Sequence, residues 1–194
     1  MNGTKSTHAV LITLGLAALM ALTRYGHFGS ALSLPDASLG VFFLGGLHLR
    51  RWMVFPIFLA LAGIIDFLVI TAGGTSGWCV TPAHGFLIPC YGSLWYGGRW
   101  CAGRQRRAWA AFGSELRALF IAVSLAFLIS NGSFYLFSGY FQDLSLSEYG
   151  LRVAKYFPPY LGSAFLYVAP IALMRALRRA FRMNVRLAKL RAKL

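Results

Sequence analysis

Three side chains that bind metals well lie in two glycine-containing segments of the sequence. His27 lies in segment 25–29, and Cys79 and His84 lie in segment 71–85. Thiolates and imidazoles are good ligands for transition metals, and a thiolate is also a nucleophile. A closed zinc site needs four protein ligands, so these three suit a metal that brings most of its own ligands in a corrin or porphyrin ring. Ordinary roles also remain open, namely hydrogen-bonding loop histidines and a tolerated loop cysteine.

The composition indicates the kind of protein that must position these residues. The chain has 194 residues, of which 58% are hydrophobic and 12% are charged, whereas soluble domains carry roughly 25% charged residues. The mean hydropathy is +0.62. These values predict a membrane protein and disfavour a soluble enzyme and a disordered chain. Three cysteines without a Cys-x-x-Cys pair also disfavour a disulfide scaffold and a disulfide oxidoreductase.

Six apolar stretches predict an all-α integral membrane protein with six transmembrane helices in one domain. A helix needs roughly 20 apolar residues to cross the hydrocarbon core. The predicted helices cover approximately residues 9–22, 37–49, 52–71, 82–100, 116–136 and 160–177. Prolines and glycines interrupt the fourth, which is typical of a segment that lines a cavity.

The distribution of charge predicts the orientation. The chain has 19 Lys and Arg against 5 Asp and Glu. If both termini lie on one side, 16 of the 19 basic residues lie there too, and the positive-inside rule makes that side cytoplasmic. Residues 178–194 are predicted to continue the sixth helix as a basic cytoplasmic tail on anionic lipid, with docking onto a cytoplasmic partner as the alternative. The charge therefore reflects topology and not nucleic acid binding, for which no basic groove with interleaved aromatic residues is present.

In this topology loops 1, 3 and 5 meet on the outer side and bring the candidate binding residues together. The candidates in these loops are Tyr25, His27, Trp78, Cys79, His84 and Arg152. Asp66 lies near the outer end of the third helix. Because a carboxylate inside a membrane has to pair, we expect it to bind Arg24, Arg152 or a loop amide, either to hold a loop or to contact a ligand.

Two stretches of the sequence resemble a known family. They are Ser-Leu-Pro-Asp-Ala-Ser-Leu-Gly-Val-Phe-Phe-Leu-Gly-Gly-Leu at 33–47 and Gly-Trp-Cys-Val-Thr-Pro at 77–82. The chain resembles the solitary cobalamin-specific substrate-binding subunits, or S-components, of the energy-coupling-factor (ECF) transporters, the BtuM family. The resemblance extends over most of the chain in length, six-helix layout and loop positions, while the specific motifs occupy only these two stretches.

This resemblance implies an ECF S-component-like fold and a vitamin B12 transport protein of the bacterial cytoplasmic (inner) membrane. It implies that loops 1, 3 and 5 form the pocket with the outer halves of the later helices, and that Cys79 is the axial cobalt ligand. His27, Asp66 and Arg152 lie where other polar site residues of the family are expected. ECF transmembrane and ATPase subunits are the implied partners, and the chain itself has no P-loop.

Cobalt chemistry agrees with this reading. A corrin ring supplies four nitrogens and leaves two axial positions, one of which a thiolate can occupy, with His27 as a further candidate ligand. Attack by the Cys79 thiolate could also assist the loss of the upper ligand, which would make the protein a catalyst as well as a carrier. Candidate partners for the peripheral amides of cobalamin are Asp36, Ser38, Thr75, Ser76, Asn131, Tyr135 and Gln142.

Two alternatives remain. One is an S-component for another vitamin or for a metal ion. The other is an intramembrane hydrolase, because Asn131-Gly132-Ser133 is similar to the nucleophile motif of rhomboid proteases. No histidine follows His84 in the sequence to act as the base, which disfavours the hydrolase.

Overall fold

The computed structural model describes residues 2–26, 34–49, 51–72, 81–104, 107–141 and 145–191. Those ranges contain six α-helices, one short 3₁₀ helix and no β-strand. In chain order the elements are α1 (Asn2–Gly26), α2 (Ser38–His48), α3 (Val54–Thr71), the 3₁₀ helix (Pro82–Phe86), α4 (Leu87–Ala102), α5 (Ala108–Phe137) and α6 (Leu146–Arg191). Following the predicted topology, we call the end of the bundle that carries Arg24 the outer end and the end that carries Arg175 the inner end.

Four helices are long and apolar enough to cross a membrane. The candidate spans are Thr7–Arg24, Val54–Thr71, Ala108–Phe137 and Leu146–Val185. Only 22% to 33% of the residues in their apolar windows are buried inside the protein, so most of these side chains face outwards, where lipid would cover them. The prediction of an all-α, multi-pass membrane protein is therefore confirmed at the level of four spans.

The second and fourth predicted spans correspond to shorter helices. α2 has 11 residues and α4 has 16, equivalent to about 16 and 24 Å of helix, less than the roughly 30 Å of hydrocarbon core. The fourth segment begins as the 3₁₀ helix and becomes α-helical at Leu87. Pro89 lies in the first turn of α4, where a missing N–H disturbs no helical hydrogen bond. Six complete crossings stay a prediction.

α6 is far longer than the apolar stretch that predicts it. It has 46 residues where hydropathy predicts 160–177, so it includes most of predicted loop 5 and continues through the predicted tail to Arg191. A capping box starts it: the Ser145 N–H donates to Glu148 Oε2 at 2.9 Å, and the Glu148 N–H donates to Ser145 Oγ at 3.3 Å. These bonds satisfy free N–H groups of the first turn. Arg152, predicted to lie on a loop, therefore lies on a helix.

α5 and α6 continue through polar residues and prolines that hydropathy treats as helix breaks. Pro158 and Pro159 lie inside α6, and each removes one backbone donor, which membrane helices tolerate when neighbouring groups compensate. α5 begins at Ala108, whereas hydropathy predicts a start at residue 116. Its first turns include Ser114 and Glu115, two polar residues that are buried. Hydropathy alone underestimates both helices, since it scores these residues as breaks.

α2 forms the centre of the bundle. Residues 38–47 are all buried, and the helix packs against α1, α3, α4 and α6. Two glycines allow close contact with α4: a Cβ on Gly46 would lie 2.0 Å from the Trp95 carbonyl oxygen, and a Cβ on Gly98 would lie 2.0 Å from the Phe43 carbonyl oxygen. This contact fixes the relative positions of α2 and α4, whose N-terminal ends carry Ser38 and Tyr91 of the candidate site.

Candidate functional site

Arg24 is a buried cation near the C-terminus of α1. It is 8% exposed, and its guanidinium forms a bidentate ion pair with Asp66 of α3, with Nε donating to Oδ1 at 2.6 Å and Nη2 donating to Oδ2 at 2.7 Å. Two charge-assisted bonds in this geometry offset the desolvation of both charges. The expected pairing of Asp66 is thus found, and its partner is Arg24.

The third nitrogen of the guanidinium, Nη1, reaches three further groups. It lies 2.8 Å from Asp36 Oδ2, 2.9 Å from Ser38 Oγ and 3.0 Å from the Tyr91 hydroxyl, so its two N–H groups are shared among three acceptors. One cation therefore connects α1, the start of α2, α3 and α4. We call Arg24, Asp36, Ser38, Asp66 and Tyr91 the Arg24 cluster.

Further hydrogen bonds hold the chain where it returns from loop 1 to α2. Asp36 Oδ1 accepts from the N–H and from the hydroxyl of Ser38, at 2.9 and 2.6 Å. The Tyr167 hydroxyl of α6 donates to the Pro35 carbonyl oxygen at 2.5 Å. Asp36 and Ser38, which the sequence suggests as partners for ligand amides, therefore bind Arg24 and each other, a structural role.

His84 lies on the 3₁₀ helix beside the Arg24 cluster. Its Nε2 is 3.8 Å from Asp66 Oδ2, and its side chain is 39% exposed. The imidazole thus faces Asp66 beyond hydrogen-bond distance and is partly exposed. Phe86 stacks on Phe137 with 5.2 Å between the ring centroids, which holds the 3₁₀ helix against α5.

Loops 1 and 3 both begin and end near the Arg24 cluster. Loop 1 leaves α1 just after Arg24 and returns at Asp36, and these two side chains are bonded across its stem. Loop 3 leaves α3 shortly after Asp66 and returns at the 3₁₀ helix, where His84 faces Asp66. The Arg24–Asp66 pair joins the two stems. The loops that carry the predicted metal ligands therefore emerge from one place.

The predicted ligands inside these loops lie outside the described residues; they are His27, Trp78 and Cys79. Tyr25 belongs to the last turn of α1, and nothing of its side chain is described. Within the ranges that the structure describes, no three His, Cys, Asp or Glu side chains come together as a metal site. The thiols of Cys90 and Cys101 are buried in the core.

Arg152 lies in a separate cavity between α5 and α6. This cavity has a volume of about 230 Å³, and we call it the aromatic pocket; its lining residues are Asn131, Phe134, Tyr135, Phe141, Tyr149, Arg152 and Tyr156. The Arg152 guanidinium carbon lies 5.0 Å from the centre of the Phe141 ring, within cation–π distance. The rings of Tyr135 and Tyr149 are 4.4 Å apart. The structure therefore groups Arg152 with aromatic rings and not with Asp66.

Sequence reasoning missed Tyr149 as a candidate, although a signal was present. Once a capping box starts α6, Tyr149, Arg152 and Tyr156 are spaced by three and four residues and share a helix face. Two predicted amide partners, Asn131 and Tyr135, line the same pocket. Three others, Thr75, Ser76 and Gln142, lie outside the described residues.

Ser133, the nucleophile of the hydrolase alternative, is a buried residue of α5. Its hydroxyl donates to the Ser130 carbonyl oxygen at 3.0 Å. In the part of the chain that is described, no histidine hydrogen-bonds to it, so no base activates the hydroxyl.

Comparison with known proteins does not identify a function for this site. The function is therefore inferred from the Arg24 cluster, the loops that it supports and the aromatic pocket. No known protein family matches the chain, and no curated protein matches it either.

Proposed function

We propose that this protein binds cobalamin at its outer end and mediates its uptake across the bacterial cytoplasmic membrane, as the S-component of an ECF-type transporter. The observation that supports the proposal most is the Arg24 cluster, which joins the stems of the two loops that carry His27 and Cys79. A ligand held between loops 1 and 3 would meet both residues.

Short tethers connect the two predicted cobalt ligands to the cluster. His27 follows Arg24 by three residues, and Cys79 precedes His84 by five. Chains of these lengths span at most about 11 and 18 Å when fully extended. The imidazole and the thiolate are thus tied to one region of the protein, near enough to serve one ligand.

Cys79 gives the proposed site its affinity for cobalt. The corrin ring leaves two axial positions, of which the Cys79 thiolate takes one and His27 is a candidate for the other. A thiol has to lose its proton to bind a metal. His84, with an exposed ring at the stem of loop 3, is the nearest described acceptor for that proton along the chain.

The same bond formation would remove the upper ligand of an incoming cobalamin. The Cys79 sulfur supplies the electron pair of the new cobalt bond, and the upper ligand leaves with the pair that bound it, as cyanide in the case of cyanocobalamin. The oxidation state of cobalt does not change, so the step needs no reductant. The protein would then promote ligand removal as well as transport.

The aromatic pocket extends the proposed site along α5 and α6. Its tyrosine hydroxyls, Asn131 and Arg152 offer hydrogen bonds to peripheral amides, while its rings cover apolar parts of the ligand. Pockets for large ligands commonly combine apolar walls with a few polar groups in this way.

The sequence has no P-loop, so ATP hydrolysis, where it is used for transport, comes from ECF partner subunits. Small residues on α1 are the expected contact with an ECF transmembrane subunit. Ala17 and Ala21 are half-buried, whereas Gly15 and Ala18 are exposed, and a Cβ on Gly15 would have no atom within 4 Å. The face that contains Gly15 and Ala18 is therefore the more accessible one.

Visible absorbance of the purified protein tests the cobalt ligand. We expect the unmodified protein and a Cys101→Ala control, both purified from cells supplied with cobalamin, to be red or orange. Cys79→Ala should lose the bound vitamin or show a changed spectrum, because its axial bond is absent. Cys101 is a matched control since it is a second thiol, buried away from the loops.

Two outcomes would contradict the proposal at different levels. Unchanged affinity and spectrum in Cys79→Ala would refute the thiolate ligand, and a colourless unmodified protein would favour an S-component for another vitamin or a metal ion. Ligand removal is tested separately by following the spectrum of added cyanocobalamin over time, where a persistent cyano-complex would refute it.

A further inference from the structure

Four arginines form a stripe on the inner part of α6. Arg175, Arg178, Arg179 and Arg182 line one cavity of about 180 Å³, and we call them the arginine stripe. Their spacing of three, four and seven residues from Arg175 places them on one face of the helix. Like charges at this spacing repel each other, so the arrangement favours a bound anion.

The chain itself supplies few anions near the stripe. It has only five Asp and Glu. Asp36 and Asp66 bind Arg24 at the outer end, Glu148 lies in the first turn of α6, and Asp143 lies outside the described residues. The fifth, Glu115 of α5, has its Oε1 3.3 Å from Arg175 Nη1. Glu115 also attracts Arg179 electrostatically, so one carboxylate serves two of the four arginines. Among the described residues, no carboxylate lies within ion-pair distance of Arg178, Arg179 or Arg182.

An exposed apolar face borders the stripe. Met174, Leu177 and Phe181 are 50%, 51% and 70% exposed, and their spacing of three and four residues places them together on a neighbouring face of α6. In a membrane protein such a face contacts acyl chains. The anion that lipid itself provides beside this face is the phosphate of a phospholipid headgroup.

We propose that the arginine stripe binds the headgroup phosphate of one anionic phospholipid, whose acyl chains lie along Met174, Leu177 and Phe181. Planar guanidinium groups suit phosphate oxygens because they donate two parallel hydrogen bonds. Arg175 stays paired with Glu115, so the other three arginines of the stripe hold the phosphate. A soluble phosphate or an acidic protein segment would match the charges but would leave the apolar face unused. The inference does not depend on the proposed function.

Native mass spectrometry of the purified, delipidated chain tests this site. The protein is mixed with phosphatidylglycerol, with phosphatidylcholine of the same acyl chains, or with phosphatidylglycerol in the presence of inorganic phosphate or polyglutamate. We expect one phosphatidylglycerol to remain bound under conditions that remove phosphatidylcholine, and neither soluble anion to displace it at equal concentration. Equal retention of the two lipids would overturn the proposal. Displacement by phosphate or by polyglutamate would overturn it in favour of a soluble anion or an acidic protein partner.

A matched pair of double variants separates the stripe from positive charge in general. Arg178→Gln with Arg182→Gln removes two stripe residues, while Arg51→Gln with Arg117→Gln removes two exposed arginines from the same predicted side of the membrane. We expect the stripe variant to bind phosphatidylglycerol about 30-fold more weakly and the control to change by less than about 3-fold. Equal weakening in both would refute the site. If the stripe variant does not fold, the lipid comparison on the unmodified protein still decides.

Discussion

Arg24 and Asp66 lie 42 residues apart in the sequence and form a bidentate ion pair with bonds of 2.6 and 2.7 Å. Asp36 binds the same guanidinium at 2.8 Å, so two carboxylates share one cation. The pair connects the stems of loops 1 and 3. It therefore supports the region in which the ligand is proposed to bind, and its loss should affect both stability and binding.

Asp66→Asn should destabilise the protein more than Asp36→Asn does. Asp66 accepts two hydrogen bonds from Arg24, and its side chain is 13% exposed. Asp36 accepts one hydrogen bond from Arg24, and its side chain is 27% exposed. Breaking a buried ion pair lowers the stability of the fold by about 3–5 kcal/mol, and breaking a more exposed pair lowers it by less. The measurement is the fraction of protein that stays monodisperse after heating in detergent. Equal losses in the two variants would contradict the central role of Asp66.

Gly98→Ala should destabilise the protein, although alanine favours helices over glycine. The added Cβ would lie 2.0 Å from the Phe43 carbonyl oxygen, and the resulting separation of α2 and α4 should cost about 1–3 kcal/mol or more. Gly92→Ala is the control in the same helix, because its Cβ would meet no atom within 4 Å. That variant should be neutral or slightly stabilising. Thermal unfolding of both compares them directly, and a stable Gly98→Ala protein would show that α2 and α4 are not in close contact.

Arg152→Gln should weaken cobalamin binding without changing the visible spectrum of the bound vitamin, if the proposed function holds. Arg152 lines the aromatic pocket, so its loss removes a charged hydrogen-bond donor and leaves the cobalt bond intact; we expect about a 10-fold loss of affinity. Lys155→Gln is the control, because Lys155 is a basic residue three positions further along the same helix that does not line the pocket. Titration with cobalamin measures both. A spectral change in Arg152→Gln would place Arg152 at the metal instead.

Local sequence patterns were sufficient to predict the bounds of α3 and the need of its Asp66 for a partner. Hydropathy predicts residues 52–71, and the helix is Val54–Thr71, because an apolar run of this length with one charged residue has no competing interpretation. The need of Asp66 to pair also follows from its position in that run. For α6 the local signal was present at Ser145 and Glu148, but hydropathy does not detect a capping box.

The sequence by itself determined that this is an all-α, multi-pass membrane protein, because apolar content and the length of apolar runs are properties of the chain alone. Only the tertiary structure decided that Arg24 is the partner of Asp66, that Asp36 and Ser38 hold the start of α2, and that Arg152 lies in an aromatic pocket. Those contacts join different helices; the bond from Arg24 to Tyr91, for example, spans 67 residues. No periodic pattern within one segment specifies which distant residue it will meet.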